Sequence, residues 1–316
     1  MDHSFFTDPS IFDLIPEPEE SGLIPCRGGA VWYRINGREH FCRGKTPLIC
    51  IHSGPGATHH YLLPLTLLAD SRPVILYDQL DCGQSERPGR GENWKTERFV
   101  MEIDAIRNRL GLSELALYGH GRGATWAAIY ALRQPPGLRA LILASPFLSG
   151  PLYRREAMRL KEALPAAVRD TLSAHERNGT TESYDYQDAF HFWAERHVCR
   201  RQPWPACLQR TMDLFTRDAY TQMWGPSEPT CTGTLAELDL LWRLPDIRTP
   251  TWYVCGEHDH MTPEIVSDFA DRTPRSRIDV LADASHTPHL EDPRLFMILA
   301  GDFLDRATGN GPACAE

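Results

Sequence analysis

Six short apolar runs, each closing in a polar or glycine-rich turn, punctuate the chain: PLICIHSGPG, PVILYDQLDCGQS, ELALYGHGRG, LRALILASPF, PTWYVCGEHD and RIDVLADASH. Runs of that length that are apolar throughout, with no alternation, predict parallel strands buried on both faces. Amphipathic patterns between several of them predict helices over Thr96 to Leu110 and Ala124 to Arg133, and a last one over Leu295 to Arg306 after Asp292-Pro293. That rhythm predicts an α/β fold, a mostly parallel doubly wound sheet whose functional groups gather at the carboxyl ends of its strands. Nearer the front, Ala30 to Phe41 alternates apolar and polar positions around Asn36-Gly37, the dipeptide of a type I′ turn, which predicts an antiparallel hairpin at the sheet's edge.

The rhythm breaks between Ser145 and Ile247, where amphipathic stretches such as YRREAMRLKEAL replace the strand runs. A mainly helical cap inserted into the sheet is the expectation, dividing the chain into a first core part (1–145), the cap (146–247) and a second core part (248–316). Ala307 to Glu316 reads as a frayed tail. The 316 residues suffice for a full core, and a net charge of −9 with scattered Lys and Arg argues against nucleic acid or an anionic membrane as partner. A small molecule is the expected partner. The acidic start MDHSFFTDPSIFDLIPEPEE lacks the features of a secretory signal and no stretch reaches the length of a membrane span, so the expected location is cytoplasmic. Nine cysteines without a C-x-x-C pair suggest neither a disulfide framework nor a zinc site, and no glycine loop for phosphate appears; no cofactor is expected.

Chemistry enters at YGHGRGA, residues Tyr118 to Ala124, which follows an apolar run and opens a helical pattern. A sharp strand-to-helix turn of form G-x-S-x-G presents a nucleophilic serine in the α/β-hydrolase arrangement, with the acid and then the histidine following along the chain at later strand ends. Gly119 and Gly123 keep the frame, but Gly121 stands where the nucleophile belongs. Asp259, in CGEHD, and His286, in ASHTPH, follow in the required order. The turn His52-Ser53-Gly54-Pro55-Gly56 also ends a strand run, and its small residues let backbone N–H groups approach a ligand; together with the N–H of Arg122 it forms a candidate oxyanion hole. Cys82, His120 and Ser285 lie near these turns without the exposed elbow that activates a nucleophile.

The chain resembles the proline iminopeptidases and related amino-acid amidases of the α/β-hydrolase superfamily. The likeness runs from about Val31 to Arg306 and rests on HSGPG, YDQLDCGQSERP, the elbow, RHVCRRQPWP, MWGPSEPTCTGTL, CGEHDHMTPE and the SHTPH turn. It implies the α/β-hydrolase fold with a helical cap, Asp259 and His286 as catalytic acid and histidine, the N–H groups of Ser53 and Arg122 as oxyanion donors, and Glu228 as a cap glutamate that holds a substrate's free α-amine. Gly54 and Trp224 join Glu228 and His260 as candidate substrate contacts, and the cap tryptophans Trp193, Trp204, Trp224 and Trp242 suit an apolar, ring-containing ligand or simply the cap's own core. The chain departs from the pattern at Gly121, at Ser53 in place of the first glycine of HGGPG, at His260 in place of a second amine-binding glutamate, and at Asp81 in place of a glycine. Free amino termini are therefore poorer substrates, since one carboxylate beside a histidine compensates a buried ammonium less well than two.

Three readings follow from this pattern. In the first, the Asp259 and His286 dyad acts as a general base without covalent catalysis, on a water or on a substrate's own acidic proton, giving hydrolysis, elimination, isomerisation or cyclisation. In the second, the protein is an ordinary prolyl aminopeptidase or amidase whose elbow serine has been replaced by Gly121. In the third, it is a binding protein on a retired hydrolase fold. The retained dyad counts against the third, and the changes at positions 53 and 260, which the second leaves unexplained, favour the first.

Overall fold

A computed structural model of the chain describes residues 16–309. Its centre is an eight-stranded sheet in the order β1-β2-β4-β3-β5-β6-β7-β8. The strands are β1 (Glu20–Cys26), β2 (Gly29–Asn36), β3 (Leu48–Ile51), β4 (Val74–Tyr77), β5 (Leu115–His120), β6 (Leu138–Ala144), β7 (Thr251–Gly256) and β8 (Ser276–Leu281). From β4 across to β8 every neighbouring pair is parallel. The six apolar runs supply these six strands, and those of β3, β4 and β5 are buried at every position.

Alternate residues of one strand feed different cores, which is why the runs do not alternate in hydropathy. Ile49, Ile75, Leu117 and Leu141 face a core closed by α1 (Thr96–Arg109), α2 (Arg122–Leu132) and α8 (Pro263–Arg272). Leu48, Leu76, Ala116 and Ile142 face a second core closed by α10 (Pro293–Ala307) and a 3₁₀ segment, His59–Asp70. The central strands are thereby covered on both sides, but β8, at the sheet's edge, is only half-buried along most of its length and leaves Val280 exposed, so its run is not the doubly covered strand expected.

The hairpin lies elsewhere than Asn36-Gly37 predicts. Strands β1 and β2 pair antiparallel with Cys26 opposite Gly29, so the two-residue turn is Arg27-Gly28, with Gly28 at φ 98°. Asn36 instead ends β2, and Gly37, at φ 72°, starts a 3₁₀ turn over Arg38–Phe41. The Glu19 carboxylate accepts hydrogen bonds from the N–H groups of Gly37 and Arg38, and an added Cβ on Gly37 would lie 2.5 Å from the Ala69 carbonyl. Two glycine turns nine residues apart in strand-like sequence compete locally, and the available upstream partner decides between them.

Between β6 and β7 run α3 (Gly150–Glu162), α4 (Ala166–Asn178), α5 (Tyr184–His197), α6 (Ala206–Asp213) and α7 (Arg217–Met223). Helices α4 and α5 share a small core of their own, with Leu172, Tyr186 and Trp193 buried. By contrast Met223, Trp224, Leu235, Leu244 and Ile247 pack into the main core beneath. The short α9 (Pro288–Glu291) follows β8. Helix α10 reaches Ala307; the acidic start before residue 16 and the tail beyond 309, with Cys314, lie outside the described residues. Among the described residues no helix is long and apolar enough to cross a membrane.

Candidate active site

Five strand ends converge above the sheet: Ser53 after β3, Gly121 after β5, Ser145 after β6, Asp259 after β7 and His286 after β8. The turn from β5 into α2 is closely packed. An added Cβ would come within 2.6 Å of the Ala124 backbone at Gly119 and within 2.4 Å of the Ile51 carbonyl at Gly123. Gly121 sits at φ 54° and ψ −118°, a conformation that L side chains rarely adopt. A Cβ there would lie 2.6 Å from Ser53 Oγ and 3.2 Å from both His286 Nε2 and Ser53 Cβ. The hydroxyl of Ser53 therefore stands against the position where an elbow side chain would emerge.

Asp259 and His286 come together. His286 Nδ1 lies 2.9 Å from Asp259 Oδ1, which also accepts the Met261 N–H at 2.8 Å. A carboxylate only accepts, so the proton is on Nδ1 and the lone pair of Nε2 faces the space over Gly121. The His286 carbonyl is held by His120 Nε2 at 2.7 Å and Ser145 Oγ at 3.0 Å.

The same elimination fixes the polar chain behind Ser53. His120 donates from Nε2 to that carbonyl, so its Nδ1 accepts from the Tyr61 hydroxyl at 2.9 Å. Burial, and after it the neighbouring His286 and His289, hold His120 well below the usual histidine range. The Tyr61 oxygen in turn accepts the Ser53 N–H at 2.7 Å. Ser53 N–H, expected from the sequence to be an oxyanion donor, thus already has a buried partner. The other expected donor, Arg122 N–H, meets Ser53 Oγ at a long 3.4 Å.

The Arg122 side chain bends back over the site. Its guanidinium donates from Nη1 to Glu228 Oε1 at 2.7 Å and from Nη2 to Oε2 at 3.2 Å. Its Nε donates to the Gly54 carbonyl, and its Cζ lies 4.2 Å above the Trp224 ring. Burial pushes the Glu228 carboxyl up, but the Arg122 charge and its hydrogen bonds outweigh that and hold it below the usual range.

His260 is wholly buried, stacked on His286 with ring centroids 4.0 Å apart, and neither of its nitrogens has a hydrogen-bond partner. Burial first, then the charges of His286 and Arg122, drive it well below the usual histidine range.

A cavity of about 190 Å³ opens onto these groups. Ser53, His120, Arg122, Glu228, His260 and His286 form its polar end, while Phe190, Trp204, Leu208, Met212 and Phe215, interspersed with Gln187, Thr211, Arg217 and Thr221, line much of the rest. Two expected substrate contacts are corrected. Trp224 is fully buried against Phe147 and Tyr153 and supports Arg122 from below, and Gly54 turns its carbonyl to Arg122; neither is among the described residues that line the cavity. Trp204 lines it, Trp193 belongs to the α4 and α5 core, and Trp242 is 75% exposed. Tyr61, Tyr220 and Phe215 carried no signal in the sequence, because nothing in their own segments places them opposite the elbow. Asp81 adopts φ 68° and accepts from Gly89 N–H and Trp94 Nε1, each at 2.8 Å, so its carboxylate ties down the following loop.

The remaining nucleophile candidates are otherwise engaged. Cys82 is buried, which pushes its thiol far up, and its Sγ accepts from Gly56 N–H; Ser285 Oγ donates to Glu291. Asp259, His260 and His286 offer ligand atoms within 4.8 Å of one another. Yet the His286 nitrogen nearest the carboxylate is already spent on it, and two imidazoles stacked at 31° do not aim their in-plane lone pairs at one point. The geometry suits an acid–base pair better than a cation.

Comparison with known proteins is consistent with this layout. Residues 46–293 match the family model described as alpha/beta hydrolase fold. The chain is 39% identical over 288 residues to a proline iminopeptidase of Heyndrickxia coagulans, covering 90% of this chain and 98% of that one. It is 32% identical over 290 residues to a proline iminopeptidase of Clostridium botulinum, again over 90% of this chain and 98% of that one. Among solved structures it is similar to VinJ (TM-score 0.88, 37% identity, 92% of this chain and all of that one) and to a Mycobacterium smegmatis proline iminopeptidase (TM-score 0.83, 33% identity, 92% and 99%).

Proposed function

Since the chain belongs to the α/β-hydrolase family and, within it, to the relatives of the proline iminopeptidases, we propose that it is an enzyme whose Asp259 and His286 dyad acts as a general base on a small carbonyl- or amide-containing molecule without a covalent intermediate on the elbow. One observation carries this: the bare Nε2 of a carboxylate-oriented histidine faces a backbone position, Gly121, that has no atom to attack with. His286 then takes its proton from a water, giving direct hydrolysis, or from an acidic position of the substrate, giving elimination, isomerisation or cyclisation. The departures that the resemblance implies at positions 53, 121 and 260 are the reason to propose a chemistry other than that of the proline iminopeptidases. A cytoplasmic location and helices α3 to α7 acting as a cap over the cavity are part of the same proposal.

Turnover of 4-nitrophenyl acetate tests it. Release should be linear with no initial burst, and fluorophosphonate should leave the protein unlabelled. His286→Ala should abolish the enzymatic component. Asp259→Asn should lower it by about 10⁴ where the histidine's role matches that in a serine triad, because the amide favours the wrong tautomer. Stoichiometric labelling of any residue, or His286→Ala at the parent rate, overturns the reading.

A further inference from the structure

Three residues that line the cavity carry a formal charge among those described: Arg122, Arg217 and Glu228. Arg217 pairs with Glu182 and is half exposed, which leaves the other two as the charges of the inner wall. Those two neutralise each other in a bidentate pair, and a tyrosine hydroxyl adds a third hydrogen bond to the carboxylate. Oε1 takes Arg122 Nη1, and Oε2 takes both Arg122 Nη2 and the Tyr220 hydroxyl at 2.9 Å. Glu228 is also held by its backbone, whose carbonyl accepts from Tyr153 Oη at 2.6 Å and Trp224 Nε1 at 3.1 Å. The guanidinium is pinned between the Trp224 ring, the Tyr220 ring at 5.5 Å and the Gly54 carbonyl. At the same polar end His260 is neutral, and neither of its nitrogens has a partner.

We infer that the site takes uncharged, largely apolar carbonyl compounds, carrying neither a free amine nor a free carboxylate at the end held beside His286. The inference rests on reading this cavity as the reaction site, and it names the substrate class for it. An entering ammonium loses its water and finds the one cavity-lining carboxylate already neutralised by an arginine of the protein's own chain. An entering carboxylate finds that arginine already neutralised by Glu228. Either ion would have to break a buried bidentate pair to be compensated, whereas a neutral molecule leaves it intact and can take one hydrogen bond from, or give one to, His260. Arg122 thus occupies from within the counter-ion seat that Glu228 would otherwise offer to a ligand's cation.

Calorimetric binding at neutral pH tests this with three probes of one shape: benzylacetone, phenylpropylammonium and hydrocinnamate. The intact protein should bind the ketone at least about tenfold more tightly than either ion. Arg122→Met, which keeps the apolar stem and removes the charge, should raise affinity for phenylpropylammonium by about tenfold or more, and adding Glu228→Gln should abolish that gain. Equal or tighter binding of the ammonium by the intact protein overturns the inference, and so does a folded Arg122→Met that gains nothing. Should Arg122→Met not fold, the three probes on the intact protein decide alone. These are equilibrium binding measurements, so their failure is distinct from failure of the dyad, which shows as an unchanged rate in His286→Ala.

Discussion

Gly121→Ser, the change that would rebuild a serine elbow, should be poorly tolerated alone and much better tolerated with Ser53→Gly. Two costs add in the single variant. A non-glycine residue at φ 54° and ψ −118° carries backbone strain of about 1–3 kcal/mol. Its Cβ would also sit 2.6 Å from Ser53 Oγ and 3.2 Å from Ser53 Cβ, and such overpacking costs about 1–3 kcal/mol more. Ser53→Gly removes both contacted atoms while keeping the backbone N–H that Tyr61 receives, so the second cost disappears and the first remains. Alone, Ser53→Gly should cost about 1 kcal/mol, since Arg122 N–H loses an acceptor. Urea unfolding of the four proteins closes a double-mutant cycle, whose coupling should favour the double variant by about 1 kcal/mol or more. Fluorophosphonate labelling reads the same geometry chemically: a Cβ 3.2 Å from His286 Nε2 brings a serine hydroxyl within reach of the base, so the double variant should label faster than Gly121→Ser. Losses that add to within about 0.5 kcal/mol would refute the proximity of Ser53 and Gly121, and a folded double variant that resists labelling would refute the orientation of the dyad.

Tyr61→Phe should destabilise by about 1–3 kcal/mol in urea unfolding, because it leaves the buried Ser53 N–H and His120 Nδ1 without partners; a neutral result would sever the chain from Ser53 to His286. Acid stability should respond to His52, whose imidazole burial pushes down to about 4. The unfolded chain binds that proton at a higher pH than the folded one, so the stabilisation is full above the ordinary histidine value and falls as pH drops from there toward about 4. In His52→Asn the loss over that window should be shallower than in the parent, and parallel pH profiles would count against a neutral buried His52.

Local pattern was enough for much of this molecule. The runs ending in His52, Asp78, His120, Ser145 and Gly256 are apolar at consecutive positions because those strands are covered on both faces, a property of burial that any sequence records, whereas RIDVLADA forms the half-buried edge strand β8. The order of Asp259 before His286, each just beyond a strand, follows from where a parallel sheet exposes its loops. The edge hairpin was not legible, because Asn36-Gly37 and Arg27-Gly28 are both adequate turns and only the partner strand and the Glu19 carboxylate distinguish them. Nor were the features that separate this site from a serine elbow. Arg122 and Glu228 are 106 residues apart, Arg122 N–H and Ser53 Oγ 69, and Tyr61 and His120 59. No period or motif links such positions; they meet because the turns after β3 and β5 and the segment that follows α7 are brought over the same strand ends. The resemblance therefore implies a free carboxylate at Glu228, and the residue types offer Ser53 as a free N–H donor and Trp224 as a ligand surface. Packing decides otherwise, since a buried charge or donor takes the nearest complement that desolvation makes available to it.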